Sequence, residues 1–315
     1  MLQLIYNNMQ MLKRGSTGLD VQTLQSKLLL KQDGQFGPAT EKAVIRFQLS
    51  NNIPPTGIVD SDMWTLLFNK TPALQEAIDE DTDIYGQYFK TNYDQLIHKH
   101  YLSKGEYIQG PIKNEYIFLH HTAGNNNPYA TIDMWNKDDR GAVGTEFVLG
   151  GRNHTTGDAK YDGHMVQAFP TGNQGWHLGT TKSGWMNRHS VGLEVCCMGP
   201  LTKEYKTYVG TVTQTDEVTI LEEPFKGFTN WHSYSDNQIK EIEKWIKYVG
   251  ERDQIDIRLG LKQLIQKHGP IKAFDYNEDA CYGKIKGLLT HTNVRKDKSD
   301  CYPHPDLVDM IISLK

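Results

Sequence analysis

The sequence predicts an α/β fold, a mixed central sheet flanked by helices, preceded by a small three-helix all-α domain. Three observations carry this. From residue 107 to residue 315, short apolar runs alternate with helical periodicities, the pattern of a sheet covered by helices. Residues 9–69 show helical spacing only, interrupted by two glycine turns. Between them, residues 70–106 are polar, Asp- and Tyr-bearing and weakly periodic, which reads as a linker with some helix around Tyr93 to Tyr101. A chain of 315 residues is long enough to bury two cores of unequal size.

In the first segment, Val21, Leu24 and Leu28 recur at helical spacing. Pro38 follows Gly37 at a helix start, and Ala43, Val44 and Phe47 form the next apolar face. Met63, Trp64 and Leu67 belong to a third helix. The turns Asp33-Gly34-Gln35-Phe36-Gly37 and Pro55-Thr56-Gly57-Ile58-Val59 use glycine where other residues resist the backbone angles. The ordered series Gly18, Val21, Leu24-Gln25, Leu28, Asp33-Gly34, Phe36-Gly37, Thr40, Ala43-Val44, Phe47-Gln48, Gly57 and Trp64 resembles the peptidoglycan-binding domain common in cell-wall hydrolases. The resemblance covers nearly the whole segment and implies an anchor on the wall.

In the second segment, apolar strands are expected at Tyr116 to His120, Val143 to Leu149, Met165 to Phe169 and Ser190 to Cys196, with a helix near Thr131 to Trp135. Residues 200–235 are polar and read as a surface excursion. A helix then carries Ile239, Ile242, Ile246 and Val249 on one face. A strand Gly287 to His291, a basic loop and a closing helix with Leu307, Met310 and Ile311 complete the chain.

Composition excludes several partners. The formal net charge is −4 and no block of Lys or Arg could track a phosphate backbone, which argues against nucleic acid. No stretch approaches the roughly 20 apolar residues of a membrane span, so no membrane insertion is expected. A neutral or zwitterionic polymer fits better. The N-terminus MLQLIYNNMQMLKRG lacks the basic start, apolar run and cleavage site of a secretory signal, so synthesis in the cytoplasm and later release is the expectation. The four cysteines, Cys196, Cys197, Cys281 and Cys301, make a poor disulfide framework and read as buried or metal-binding thiols.

A hydrolytic zinc site needs three protein ligands on rigid elements and one open position. His120 ends the apolar run Tyr116-Ile117-Phe118-Leu119-His120, and His291 ends Gly287-Leu288-Leu289-Thr290-His291. Two histidines at two strand ends, the second followed by a loop rich in Lys, Asp and Cys, make a plausible site. Glu194 lies in Ser190-Val191-Gly192-Leu193-Glu194-Val195-Cys196, where Val191, Leu193 and Val195 share one face and Glu194 points the other way. A carboxylate on an otherwise apolar strand needs a reason.

The segments Phe118-Leu119-His120-His121-Thr122-Ala123, Val143-Gly144-Thr145-Glu146-Phe147-Val148, Trp176-His177-Leu178-Gly179, Ser190-Val191-Gly192-Leu193-Glu194 and His291-Thr292-Asn293-Val294-Arg295-Lys296-Asp297-Lys298-Ser299-Asp300, in that order, resemble the type-2 N-acetylmuramoyl-L-alanine amidases. That family includes small phage amidase-type lysozymes and the peptidoglycan recognition proteins. The resemblance spans roughly residues 110–315. It implies a Zn2+ site with His120 as first ligand, His121 as its neighbour, and His291 as second. For the third ligand the family uses Asp or Cys, and this chain offers Asp300 and Cys301. Lys298 stands two residues before Asp300, where members often place a catalytic lysine, which favours Asp300. The other register makes Cys301 the ligand, with Ser299 upstream.

By the same resemblance Glu194 is the general base and Lys298 stabilises the oxyanion. Several relatives have a catalytic tyrosine where this chain has Thr145. Thr145 and His177 are then expected against the substrate, and weight shifts onto Glu194, with Glu146 as the other carboxylate nearby. The implied reaction is hydrolysis of the bond between N-acetylmuramic acid and L-alanine in peptidoglycan, with a monomeric phage endolysin as the expected setting. The alternative is a non-catalytic peptidoglycan-binding or recognition protein.

Overall fold

The computed structural model describes residues 10–28, 30–51, 53–69, 93–110, 113–179 and 185–315. The chain divides into two compact units, Met1–Asn92 and Tyr93–Lys315.

The described part of the first unit holds three helices, α1 (Leu19–Lys27), α2 (Pro38–Ser50) and α3 (Ser61–Asn69). Their apolar faces close one core around Val21, Leu24, Val44, Met63, Trp64 and Leu67. Two buried glutamines pin the glycine turns. Gln25 accepts from the Gly34 amide at 2.9 Å and donates to the Gln35 carbonyl at 3.0 Å. Gln48 does the same for Gly57 at 2.9 Å and Ile58 at 2.8 Å. Gly34 and Gly57 have φ of 71° and 69°, the left-handed region that favours glycine. Each buried amide thus satisfies the backbone of a turn and is itself satisfied.

The second unit begins earlier than the sequence indicates. Residues 93–106, expected as linker, carry a helical turn at 93–96 and strand β1 (His98–Lys99). Tyr93, Ile97 and Leu102 are buried there. Three widely spaced apolar residues in a polar stretch give no clear period, which is why the sequence reads as linker. The remainder of the expected linker, 70–92, lies outside the described residues.

The main sheet also contains β2 (Tyr116–His121), β3 (Phe147–Leu149), β4 (Met165–Gln167), β5 (Ser190–Val195) and β9 (Gly287–Thr290), in the order β1-β4-β3-β5-β2-β9. Only β3 and β4 pair antiparallel, so the sheet is mixed as expected. Strand β2 is buried along its whole length between β5 and β9. Its unbroken apolar run is the mark of a strand covered on both faces. The expected strand from Val143 becomes regular only at Phe147; Val143 itself makes an isolated parallel bridge to Trp176.

Helix α4 (Pro128–Trp135) is capped by Asn127, whose side chain accepts from the amides of Tyr129 and Ala130. Residues 200–235 are more than a surface excursion. They form a second, antiparallel sheet of β6 (Pro200–Leu201), β7 (Val218–Phe225) and β8 (Phe228–His232), ordered β6-β8-β7. Half of β7 is exposed and only Leu221 and Phe225 are buried, so its polar residues outnumber the few that pack inward. Helix α5 (Asp236–Asp253) starts at a Ser235/Gln238 capping box and buries Ile239, Ile242, Trp245, Ile246 and Val249. Then follow α6 (Leu261–His268), α7 (Pro270–Ala273), α8 (Glu278–Cys281), α9 (His291–Val294) and α10 (Pro305–Ser313). All four cysteines are buried free thiols. Among the described residues no helix is long and apolar enough to cross a membrane.

Candidate active site

The carboxyl ends of β5, β2 and β9 lie side by side, the edge of a parallel sheet where ligands ordinarily bind. His120 lies near the end of β2, and His291 follows β9 directly. Asp300 comes from the loop after α9. His120 Nδ1 and His291 Nδ1 are 3.1 Å apart, and Asp300 Oδ2 is 3.3 Å from the first and 3.0 Å from the second. A tetrahedral zinc with ligand bonds of about 2.0–2.1 Å has edges of about 3.3 Å. These three atoms therefore already stand at the spacing of one face of such a tetrahedron. Two imidazole nitrogens and a carboxylate held this close need a shared proton or cation among them, so the donor set fits zinc.

Strand alternation separates the two adjacent histidines. His120 faces the cluster, whereas His121 Nδ1 meets the Tyr234 hydroxyl at 3.1 Å on the other side of the sheet. Cys301 also turns away, buried beside Tyr234. The cluster thus brings together His120, His291 and Asp300, and the Cys301 register does not form.

The second sheet, absent from the sequence reading, holds the third ligand. Tyr302 stacks on Trp231 of β8 with ring centroids 4.6 Å apart and donates its hydroxyl to the His232 carbonyl at 3.0 Å. The Asp300 carbonyl accepts from the Thr292 amide at 3.0 Å. The ligand loop is therefore fixed on both sides of Asp300.

Burial and charge set the protonation states. Burial pulls His120 and His121 down to about 4, so both rings are neutral at pH 7. Burial raises the Asp300 carboxyl, but His291 and His120 together outweigh it and hold it below the usual carboxylate range. Glu194 pairs in register with His120 across β5 and β2 and shares its face. Burial, then the Asp300 charge, push Glu194 up to about 8 against the pull of Lys298.

A cleft of about 380 Å³ opens over the cluster and is lined by Glu194, Lys298 and His177 as well as the three ligands. Trp135 and Arg140 form another part of its wall. Gly144 makes room for that wall: a Cβ there would lie 2.7 Å from Trp135 Cε3. Thr145, expected against the substrate, is fully buried instead. Its hydroxyl donates to the Phe147 carbonyl at 2.7 Å and its methyl packs over Gly192. Glu146 is also withdrawn, in a buried ion pair with Arg252 at 2.8 Å that Gln167 and Thr171 join. Of the two carboxylates raised by the sequence, only Glu194 faces the cleft.

The profile of the N-acetylmuramoyl-L-alanine amidase family matches residues 109–297, more than half of the chain. The chain belongs to this amidase family. A peptidoglycan binding domain profile matches residues 17–67. Among curated proteins, the chain is similar to the N-acetylmuramoyl-L-alanine amidase CwlA of Bacillus subtilis (strain 168), 30% identical over 101 residues. That alignment spans 31% of this chain and only 33% of the length of CwlA. Among solved structures, PlyL is 12% identical over 65% of this chain and 85% of its own, with a TM-score of 0.37. The endolysin amidase LysCS of Clostridium intestinale URNW is 15% identical over 68% of this chain and 91% of its own, with a TM-score of 0.36. A fused Zn-dependent amidase/peptidase/peptidoglycan-binding protein of Clostridium acetobutylicum ATCC 824 is 32% identical over 28% of this chain and 44% of its own, with a TM-score of 0.20.

For the amidase cleft, the sequence reading missed Trp135, Arg140 and the residues that hold the 177–179 loop. Asn187, wholly buried, accepts from the amides of His177 and Leu178 at 3.2 and 2.9 Å and donates to the Gly179 carbonyl at 2.9 Å. Nothing in the local pattern of a lone Asn marks such a clamp.

Proposed function

We propose that the second unit is a zinc-dependent N-acetylmuramoyl-L-alanine amidase and that the first unit holds it on peptidoglycan. The observation that carries the zinc reading is the set of three ligand atoms within 3.0–3.3 Å of one another. His120, His291 and Asp300 would hold the ion. When bound, zinc supplies Lewis acidity that polarises a carbonyl and lowers the pKa of water toward 7.

The residues around the cluster divide the remaining work. Glu194 takes a proton from the attacking water at its carboxylate and returns it to the leaving nitrogen of L-alanine, so that the C–N bond breaks to a carboxylate and an amine. A base poised near the working pH suits both halves of that transfer, and the raised Glu194 is placed for it. Lys298 faces the same cleft, where its ammonium stabilises the negative charge that develops on the carbonyl oxygen. The pairing of a wall-binding profile with an amidase profile supports a wall-lysing enzyme; an endolysin, made in the cytoplasm and released onto the wall, is the setting proposed for it.

Metal analysis and mass spectrometry of muropeptides from purified sacculi test the proposal. Wild type should contain one zinc and release stem peptides with free L-alanine amino groups. His291→Ala should lose both zinc and cleavage. A wild type that binds muropeptide but never cleaves it would establish the non-catalytic recognition reading instead.

A further inference from the structure

We infer that His177 is a positioning residue that sets the tautomer of His120, through a hydrogen-bond relay running from the ligand cluster to Ser190. The inference rests on the zinc reading above. His120 presents Nδ1 to the cluster, and that nitrogen can ligate a cation only with its lone pair free, which puts the ring proton on Nε2. His120 Nε2 lies 2.9 Å from His177 Nδ1. His177 must then accept at Nδ1 and carry its own proton on Nε2, which lies 2.8 Å from Ser190 Oγ. The serine hydroxyl can donate or accept, so it can end the chain in either sense.

The relay therefore has two polarities. In one, protons sit on both Nε2 atoms and His120 Nδ1 is open to a cation. In the other, Ser190 donates to His177 Nε2, His177 Nδ1–H donates to His120 Nε2, and the His120 proton points from Nδ1 at Asp300 Oδ2. That second state fills the cluster with a proton. Interconversion moves one proton within each ring and rotates one hydroxyl, with no proton gained or lost. Metal capture thus selects the first polarity, and His177 makes it available by offering an acceptor where the ligand needs to donate.

The surroundings hold His177 for this task. Asn187 clamps its backbone through the amides of His177 and Leu178. Arg295, from the ligand loop, donates to the Leu178 carbonyl at 3.1 Å. Phe118 meets the His177 ring edge-on at 5.9 Å. Gly192 of β5 provides the room, since a Cβ there would lie 3.0 Å from His177 Nδ1. A residue that only lined the cleft would need none of these contacts to its inner edge.

Two variants of the full chain separate a relay from packing. In His177→Asn the Oδ1 atom replaces Nδ1 as acceptor but the ring volume is lost; in His177→Leu much of the volume stays and the acceptor is lost. Zinc affinity is read by competition with a chromophoric chelator, and ring tautomers by long-range 1H–15N spectra of the zinc-loaded wild type. The relay predicts about 10–100-fold weaker zinc binding for the Leu variant, near wild-type binding for the Asn variant, and an Nε2–H tautomer at His177. Packing alone predicts the opposite order of variants, and that order, or an Nδ1–H tautomer, overturns the relay. If the Leu variant fails to fold, the wild-type tautomer decides. A wild type that holds no zinc sinks the zinc reading and the relay with it, whereas zinc in the wild type with the wrong order of variants sinks the relay alone.

Discussion

His120 and His121 are neighbours in one strand and differ in everything that follows from facing opposite ways. The same alternation separates Glu194 from the apolar side chains beside it in β5. Strand period made legible that the two histidines face opposite ways and that Glu194 opposes its apolar neighbours, whereas the choice of His120 over His121 came from the family resemblance. The choice between Asp300 and Cys301 was not legible, since both belong to a loop whose register is set by the distant contact of Tyr302 with Trp231. At this scale the cluster predicts that Asp300→Ala loses zinc, while Cys301→Ser, which changes a thiol outside the cluster, retains it; metal analysis of the two purified variants checks this. Glu194→Gln should keep zinc and lower kcat by about 10²–10⁴-fold, the usual worth of a positioned base. Normal turnover by that variant would show that another group moves the proton.

At the scale of elements, the strands that carry ligands were the most legible, because buried parallel strands leave continuous apolar runs. The three-stranded sheet was hidden because β7 buries only two of its eight residues and its Thr and Glu resemble loop. Helices α6 to α8 were missed for a related reason: they are short, and two of them span only four residues each, too few to show a period. Thr145 shows a different limit. Its motif position was clear, but a turn of backbone around Gly144 sends its side chain into the core. The ion pair of Glu146 on the segment before β3 with Arg252 on α5 ties sheet to helix. Breaking a buried pair leaves an uncompensated charge, so Glu146→Ala should destabilise the unit by about 3–5 kcal/mol. Chemical denaturation would read this as a lower midpoint, and an unchanged midpoint would mean that Arg252 finds Asp253 sufficient.

For the molecule as a whole, stability should fall in acid. His232 is buried, accepts from the Met198 amide at Nδ1, and is pulled down to about 3 by burial and by His154 and His121 nearby. Its folded value lies below the unfolded value of about 6.5. The stability it contributes is therefore complete above pH 6.5 and is lost as pH falls from there toward 3. Thermal melts across that window should show a falling Tm, with a smaller slope in His232→Gln. Removing metal should also lower Tm, because an ion held only by the folded cluster stabilises that state; melts with and without a chelator, at fixed pH, measure the difference.

Asp300 and His291 are close in sequence, yet His120 stands 171 residues before His291. Only when β9 has docked beside β2 do the two rings meet, and closing so long a loop is slow relative to local folding. A nascent chain can complete β2 and β5 and still have nowhere to seat an ion. Docking of β9 on β2 is thus the event that assembles the cluster, because without it His120 has neither His291 nor Asp300 beside it.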